Sequence, residues 1–308
     1  MIPTFNPSPE ILAETLRSVL RQAPPAQSMQ IEVIDDCSPS RKTTEIVQAV
    51  AGNRIDVHCE PKNLGIARIW NRCVERAKGE YVHILHQDDV IEPGFYQALE
   101  AGFRRHPNAG AAFTRHAYAD EKGKHTRFSF SELASPGILD SYIEALVTRE
   151  CIQCAAIAVR RSTYEKIGGF NESLTHALDW EMWIRIASSF PIYYHPEVLA
   201  SWRMHPDSTT SGQIRSGENI RDIAKAIAIW RGYVSSGQDL ARTAARRYAR
   251  LALDLADYLS RNGYSGAPQL DAALQCDSSP IVRFHALKLR IKWRLRPWYR
   301  LATGRQGR

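Results

Sequence analysis

Tyr81-Val82-His83-Ile84-Leu85-His86-Gln87-Asp88-Asp89 is an apolar run that ends on paired carboxylates. Its first five residues predict a buried parallel strand, since such strands are covered on both faces and need no polar alternation. Upstream, Ile66–Ala77 predicts a helix, with Gly79 as its C-cap and Asn63-Leu64-Gly65 as the turn before it. Ile55–Cys59 and Gln30–Ile34 read as strands, and Arg41–Ala51 and residues 8–23 as helices. Ser8 and Pro9 suit the N-cap and first helical position, and Ile11, Leu12, Thr15, Leu16, Val19 and Leu20 recur at helical spacing. Strands alternating with helices predict a parallel sheet covered on both faces. Ligands of such sheets bind beyond the carboxyl ends of the strands. Asp35-Asp36 and Asp88-Asp89 both fall at such ends.

Downstream, residues 95–105 predict a helix and Ala109–Phe113 a strand. The polar segment 115–136 reads as a hairpin or flexible loop. A helix over 138–148, a strand at Ala155–Val159, a turn at Gly168-Gly169 and a helix over Trp180–Ser188 follow. Tyr193–His195 and Leu199–His205 complete a mixed, mainly parallel α/β nucleotide-binding sheet flanked by helices, over residues 1–210. Thr209–Ser216 reads as a polar linker. Asn219–Val234, Asp239–Asn262 and Pro280–Leu295 predict a helical C-terminal extension over 211–308.

The 308 residues are 44% apolar and 24% charged, an ordinary globular balance for one α/β domain with an appendage. The net charge of +7 is a tail property. Nine of the 40 Lys and Arg lie in 283–308 with no acid, which leaves the first 282 residues at 31 bases against 33 acids. That body has no electrostatic footprint for nucleic acid. No run approaches the length of a membrane span and no signal peptide is legible, so a cytoplasmic location is expected. The six scattered cysteines read as packed thiols. Cys151-Ile-Gln-Cys154 lacks the second ligand pair that a structural zinc site needs.

A divalent cation on a carboxylate neutralises a diphosphate leaving group, and Mg²⁺ or Mn²⁺ takes one or two carboxylates plus phosphates. Asp88-Asp89 at a strand end supplies such ligands, although as a bare dipeptide it is more often a solvated turn. Its surroundings change those odds. The chain carries, in order, Ile2-Pro3-Thr4-Phe5-Asn6; Val33-Ile34-Asp35-Asp36-Cys37-Ser38; Asn63-Leu64-Gly65 with Arg68 and Asn71; and Ala77-Lys78-Gly79-Glu80-Tyr81. Then come Leu85-His86-Gln87-Asp88-Asp89; Gly168-Gly169-Phe170; Asp179-Trp180-Glu181-Met182-Trp183 with Arg185; and Arg203-Met204-His205. In this series, over roughly residues 2–210, it resembles the inverting family 2 glycosyltransferases of the GT-A fold.

That resemblance implies a metal-dependent hexosyltransferase. It would move a sugar from a nucleotide-sugar, commonly UDP-linked, to a saccharide or lipid-linked acceptor in surface glycan synthesis. Pro3, Thr4 and Phe5 would line the base pocket, and Asp36 would hydrogen-bond the base. Arg68 would approach the nucleotide and Asp88 the ribose. Asp89 would bind Mn²⁺ or Mg²⁺, with His205 reaching the metal or diphosphate. Asp179 would be the base on the acceptor hydroxyl, since a single displacement needs a base and no enzyme nucleophile. Its bland alternative is an N-cap of the helix it precedes. Asp35 reads as a turn former. Three departures stand out: a short first strand, Gln87 where relatives often carry an acid, and Leu178 where an acid often precedes the base.

Residues 281–302 set Ile281, Phe284, Leu287, Ile291, Leu295, Trp298 and Leu301 among Lys and Arg. This basic amphipathic pattern suits an anionic membrane surface, with Pro297 expected to break or kink the helix. A nucleotidyltransferase is disfavoured, because its Gly-rich phosphate loop is missing. A processive synthase is disfavoured, because membrane spans and a Gln-x-x-Arg-Trp motif are missing. A non-catalytic scaffold subunit is the remaining alternative, and Asp88, Asp89 and Asp179 together argue against it.

Overall fold

The computed structural model describes residues 1–40, 42–140, 142–205 and 208–303, the last eight in backbone only. Arg41, the expected first residue of the second helix, and the side chains of Trp298, Tyr299 and Leu301 lie outside that description. The chain divides into two compact units, Met1–His205 and Pro206–Arg308.

The first unit opens with three parallel strands, β1 (Ile2–Thr4), β2 (Glu32–Asp35) and β3 (Asp56–Cys59), with β2 central. Helices α1 (Pro9–Leu20), α2 (Lys42–Ala51) and α3 (Ile66–Arg76) connect them and lead on to β4 (Tyr81–His83). Pro9 starts α1 as expected, and Leu12, Leu16 and Val19 join the core with Ile2, Val33 and Leu85. Helix α3 ends at Ala77 with φ −67°, so Gly79 is not its cap.

Met1 joins β1 to β4: its amine donates to the His83 carbonyl (2.9 Å), and Leu85 N–H donates to the Met1 carbonyl (3.0 Å). Beyond that junction lies a mixed sheet in the order β4, β9 (Ile157–Arg160), β6 (Ala111–Ala119), β10 (Ile192–Arg203), β5 (Val90–Ile91). Strands β7 (His125–Phe128) and β8 (Gly137–Ile138) pair with β6 and β10. Helix α4 (Phe95–Arg105) has the expected bounds. Segment 115–136 splits: its start extends β6, and β7 turns back on it as a hairpin. Helix α5 (Ile143–Thr148) is shorter than expected, and α6 (Arg161–Ile167) was not foreseen.

Strand β10 is one strand, not two. Its ladder with β6 shifts between His195 and Val198, around Pro196, which has no N–H to give a ladder. The strand resumes past this bulge and carries Trp202-Arg203 to the end of the sheet. Strand β5 immediately follows Asp89 and pairs Val90 with Ser201 and Ile91 with Ala200. That register holds Asp88-Asp89 against Arg203.

Helix α7 (Leu178–Ala187) is reached through the Gly168-Gly169 turn, where Gly168 has φ +83°. Arg185 ties the two together. It donates to the Ile167 and Gly169 carbonyls (2.8 and 2.9 Å) and to both carboxylate oxygens of buried Glu181 (3.0 and 2.8 Å). Asn71 closes the turn from α3, accepting from Phe170 N–H (2.6 Å) and donating to its carbonyl (3.0 Å). A Cβ on Gly169 would stand 2.4 Å from Asn71 Oδ1. Gly169→Ala is therefore expected to cost ~1–3 kcal/mol in urea unfolding, by forcing apart a closed contact.

The second unit contains α8 (Thr209–Ser216), α9 (Glu218–Trp230), α10 (Gly237–Arg261), α11 (Ala267–Cys276) and α12 (Pro280–Thr303). Thr209–Ser216 is thus a helix, capped by the Ser208 hydroxyl accepting from Ser211 N–H, and not a linker. Helix α12 runs on past Pro297 instead of breaking there. The inner face of α10 is mostly alanine (Ala241, Ala244, Ala249, Ala252, Ala256), which lets neighbouring helices come close.

Candidate active site

The carboxyl ends of β1, β2 and β4 stand side by side, and each delivers part of one site. From β1 come Thr4 and Phe5. Thr4 is buried, with its hydroxyl on Asp35 Oδ1 (3.3 Å), whereas the Phe5 ring is 48% exposed. The Gln87 carboxamide clamps the Phe5 main chain, accepting from its N–H (2.8 Å) and donating to its carbonyl (3.3 Å). Pro3 sits within β1, paired with Ile34.

The pair at the end of β2 is structural in its bonding. Asp35 accepts from Ser38 N–H (2.8 Å), the Ser38 hydroxyl (2.6 Å) and the Thr43 hydroxyl (2.8 Å), which makes it a turn former. Asp36 was expected on the nucleotide base. Its oxygens accept from the backbone N–H groups of Leu64 (2.6 Å) and Gly65 (3.1 Å), and it is 4% exposed. It pins the loop that opens α3, and any base would have to use the remaining lone pairs. Arg68, two turns from that loop at most, is ion-paired at the exposed surface with Glu172 (2.9 Å).

The Asp88-Asp89 pair divides by burial. Asp89 is 1% exposed; Oδ1 accepts from Arg203 N–H (2.9 Å), and Oδ2 lies 3.4 Å from His86 Nδ1. It is a buried carboxylate braced between Arg203 and His86. Asp88 is the residue that faces His205, with Oδ2 3.1 Å from Nε2 and both side chains about a quarter exposed. Burial lifts Asp89 from 3.8 to about 6, with the His86 contact working against the rise. Burial disfavours charge on His86, but the Cys154 sulfur and Asp89 beside it hold its pKa well above the usual 6.5. The imidazole stacks on buried Trp70, ring centres 4.7 Å apart.

Arg203 locks this corner. Beyond its N–H on Asp89, its guanidinium donates to the carbonyls of Asp88 (3.0 Å) and Glu121 (3.1 Å) and to the Glu14 carboxylate (2.6 Å). The sequence reading included Arg203 in a motif but gave it no role. Gln87 is marked in the sequence only as a departure from an acidic position, and His86 only as part of the motif. No local signal marks Arg203 or Gln87, because each acts on residues far along the chain.

Asp179 is the second residue of α7, and Ala177 is the N-cap, so the capping alternative fails. Its Oδ1 accepts from the adjacent Trp180 N–H (2.7 Å), while Trp180 Nε1 anchors the helix by donating to the Leu146 carbonyl (2.6 Å). Burial, with the Glu150 carboxylate adding to it, pushes Asp179 from 3.8 up to about 7. His86 acts electrostatically on both Asp89 and Asp179, and Cys154 senses both carboxylates. The two acidic sets therefore belong to one neighbourhood.

Two partly exposed donors, one oxygen and one nitrogen, fit a divalent ion. Cis ligands of an octahedral ion at ~2.1 Å stand ~3.0 Å apart, and Asp88 and His205 already have that separation. The mixed O/N set suits Mn²⁺ better than Mg²⁺. Among the described residues no group of three or more His, Cys, Asp or Glu forms a metal cage. The CxxC cysteines face different partners. Cys151 accepts from the Tyr142 hydroxyl (3.0 Å), and burial lifts its thiol to about 12; Cys154 donates to the Ile84 carbonyl (3.5 Å). Of the thiols expected in the core, Cys73 and Cys154 are buried but Cys59 is exposed.

A GT-A-type sheet with acidic residues at its strand ends, carrying a helical C-terminal region, defines a glycosyltransferase architecture. The Glycosyl transferase family 2 model matches residues 1–168, and the chain belongs to that family. An uncharacterised glycosyltransferase of Rickettsia prowazekii is 24% identical over 89% of this chain and 83% of its own length. A chondroitin synthase of Escherichia coli is 25% identical over 68% of this chain but only 29% of its own length. An uncharacterised Sinorhizobium fredii protein is likewise matched over 23% of its length, so the chain spans under a third of these two relatives. Among solved structures, Staphylococcus aureus TarS 1–349 in complex with UDP-GlcNAc has a TM-score of 0.61 at 16% identity, covering 100% of this chain and 92% of that one. The protein is a glycosyltransferase with the GT-A fold. No described helix is long and apolar enough to cross a membrane.

Proposed function

We propose that this glycosyltransferase is an inverting, metal-dependent hexosyltransferase. It takes a sugar from a UDP-linked donor to a hydroxyl of a saccharide or lipid-linked acceptor in surface glycan synthesis. The observation that carries the reading is the meeting of Asp88 and His205, 117 residues apart, at the carboxyl ends of the strands. The UDP-GlcNAc and UDP complexes of TarS support a uridine donor, and the chondroitin synthase relatives support a saccharide acceptor.

Asp88 and His205 would hold a divalent cation, which when bound offsets the charge of the diphosphate leaving group. Thr4 and Phe5, fixed by Gln87, flank the base, and Asp36 shapes the floor beside it. Asp179 takes the proton from the acceptor hydroxyl. That oxygen bonds the anomeric carbon from the face opposite the diphosphate, the bond from this carbon to the diphosphate oxygen breaks, and the nucleoside diphosphate leaves. One displacement inverts the anomeric centre. A carboxylate with pKa about 7 is matched to this task near neutral pH.

A thermal-shift screen of nucleotide-sugars with and without Mn²⁺ tests the reading. A true donor at a hundredfold over its Kd should stabilise by ~2.7 kcal/mol, and only with the cation present. If no nucleotide-sugar shifts the transition, or the shift ignores Mn²⁺, the reading is wrong.

A further inference from the structure

Helix α12 packs with its small side inward. Val282 and Ala286 are each 2% exposed, with Leu289 and Trp293 half-buried along the same face. Its large apolar side chains point outward: Ile281 (56% exposed), Phe284 (54%), Leu287 (55%), Ile291 (48%) and Leu295 (56%). Spaced at i, i+3, i+6, i+10 and i+14, they form one continuous stripe. This inverts the usual arrangement of a surface helix, and a contiguous exposed apolar stripe marks a docking surface.

Charge identifies what docks. Lys288 and Lys292 border the stripe on one side, and Arg283, Arg290 and Arg294 on the other; Lys292 is paired with Asp257 (2.9 Å) and Arg290 with Asp271 (3.3 Å, both side chains over half exposed), pairs that a phosphate would compete with. Residues 283–308 hold nine Lys and Arg and no acid. A second copy of the chain would set this basic face against itself. Beside the stripe an open cleft of about 360 Å³ is lined by Leu274, Ser278, Arg283, Ala286, Leu287 and Arg290. Two guanidinium groups beside two leucines match a lipid phosphate at the head of its acyl chain. We propose that α12 docks the protein onto an anionic membrane, with the apolar stripe in the acyl boundary and a headgroup phosphate between Arg283 and Arg290. This deepens the lipid-linked form of the acceptor reading, yet it is tested with no donor or acceptor present, so either can fail alone.

Full-length protein is sedimented with phosphatidylcholine vesicles containing about one-third phosphatidylglycerol, and with phosphatidylcholine alone. At least ~tenfold stronger partitioning onto the anionic vesicles is expected, falling with added salt. The triple variant Phe284→Glu/Leu287→Glu/Ile291→Glu should abolish it while keeping the far-UV circular dichroism. Arg283→Gln/Arg290→Gln removes two charges and the exposed Arg290–Asp271 pair while leaving the apolar stripe intact, serves if the triple variant misfolds, and should weaken partitioning several-fold. Equal partitioning onto both vesicles, none onto either, or full retention in these variants overturns the proposal. So does a concentration-dependent dimer that the triple variant dissolves, if vesicles are not bound.

Discussion

Asp179→Asn should lower the transfer rate by ~10²–10⁴-fold with little change in donor affinity, the range lost with a positioned general base. The same substitution should make the protein more stable. In the folded chain Asp179 is raised from 3.8 to about 7, so the folded state holds its proton more tightly than the unfolded state does. Between those values, rising pH therefore removes stability, and the loss is complete above pH 7. Asparagine keeps the acceptor for Trp180 N–H without the charge. The unfolding free energy of the variant should exceed the parent's by a margin that is near zero at about pH 4, grows toward pH 7 and then levels, with a ceiling of ~4 kcal/mol, read by urea unfolding across pH. In the parent enzyme kcat/KM should rise with pH through about 7 as the base deprotonates. A variant that stays active, or that is less stable than the parent at pH 8, removes Asp179 from the base position.

The neighbouring carboxylates at the other end of the site should respond in opposite ways. Asp88→Ala removes one contact from a side chain that is a quarter exposed, so folding should survive. Mn²⁺-dependent donor stabilisation should vanish, and transfer should fall by ~10²–10³-fold. Asp89→Ala strands the buried N–H of Arg203 and should cost ~1–3 kcal/mol of stability. Asp89→Asn keeps an acceptor there and should leave Mn²⁺ dependence in place. Calorimetric titration of Mn²⁺ with UDP decides between the two residues. Lost cation dependence in Asp89→Asn, with Asp88→Ala unaffected, returns the metal to Asp89.

Much of the scaffold was legible because it is written in local pattern. The bounds of α4 follow from the spacing of Phe95, Leu99 and Phe103, and the start of α1 from Ser8-Pro9. What local pattern misled on has identifiable causes. Pro196 interrupts a strand signal, but a bulge absorbs it and the ladder with β6 carries on. Thr209–Ser216 lacks an apolar stripe, yet it forms a capped helix. The acidic pairs stand at the strand ends that the alternation of strands and helices marked, but what separates one carboxylate from its neighbour is burial. Adjacent Asp88 and Asp89 cannot be ranked until the partner each meets is known. Those partners, His205 and Arg203, are 117 and 114 residues away.

That separation also governs when the enzyme comes into being. Strand β10 lies beside β6 in the sheet, although paired residues are about eighty positions apart, and it carries Arg203, with His205 just past its end, to Asp88-Asp89. A nascent chain lacking residues 192–205 has β1 to β4 and their helices in its sequence but lacks the Arg203 and His205 contacts to Asp89 and Asp88. Such long-range parallel pairing is slow to find, and the unpaired edge of β6 is exposed in the meantime. On the proposed reading, donor and cation would bind only the finished sheet and would stabilise it by mass action, so their supply during synthesis should raise the yield of native enzyme.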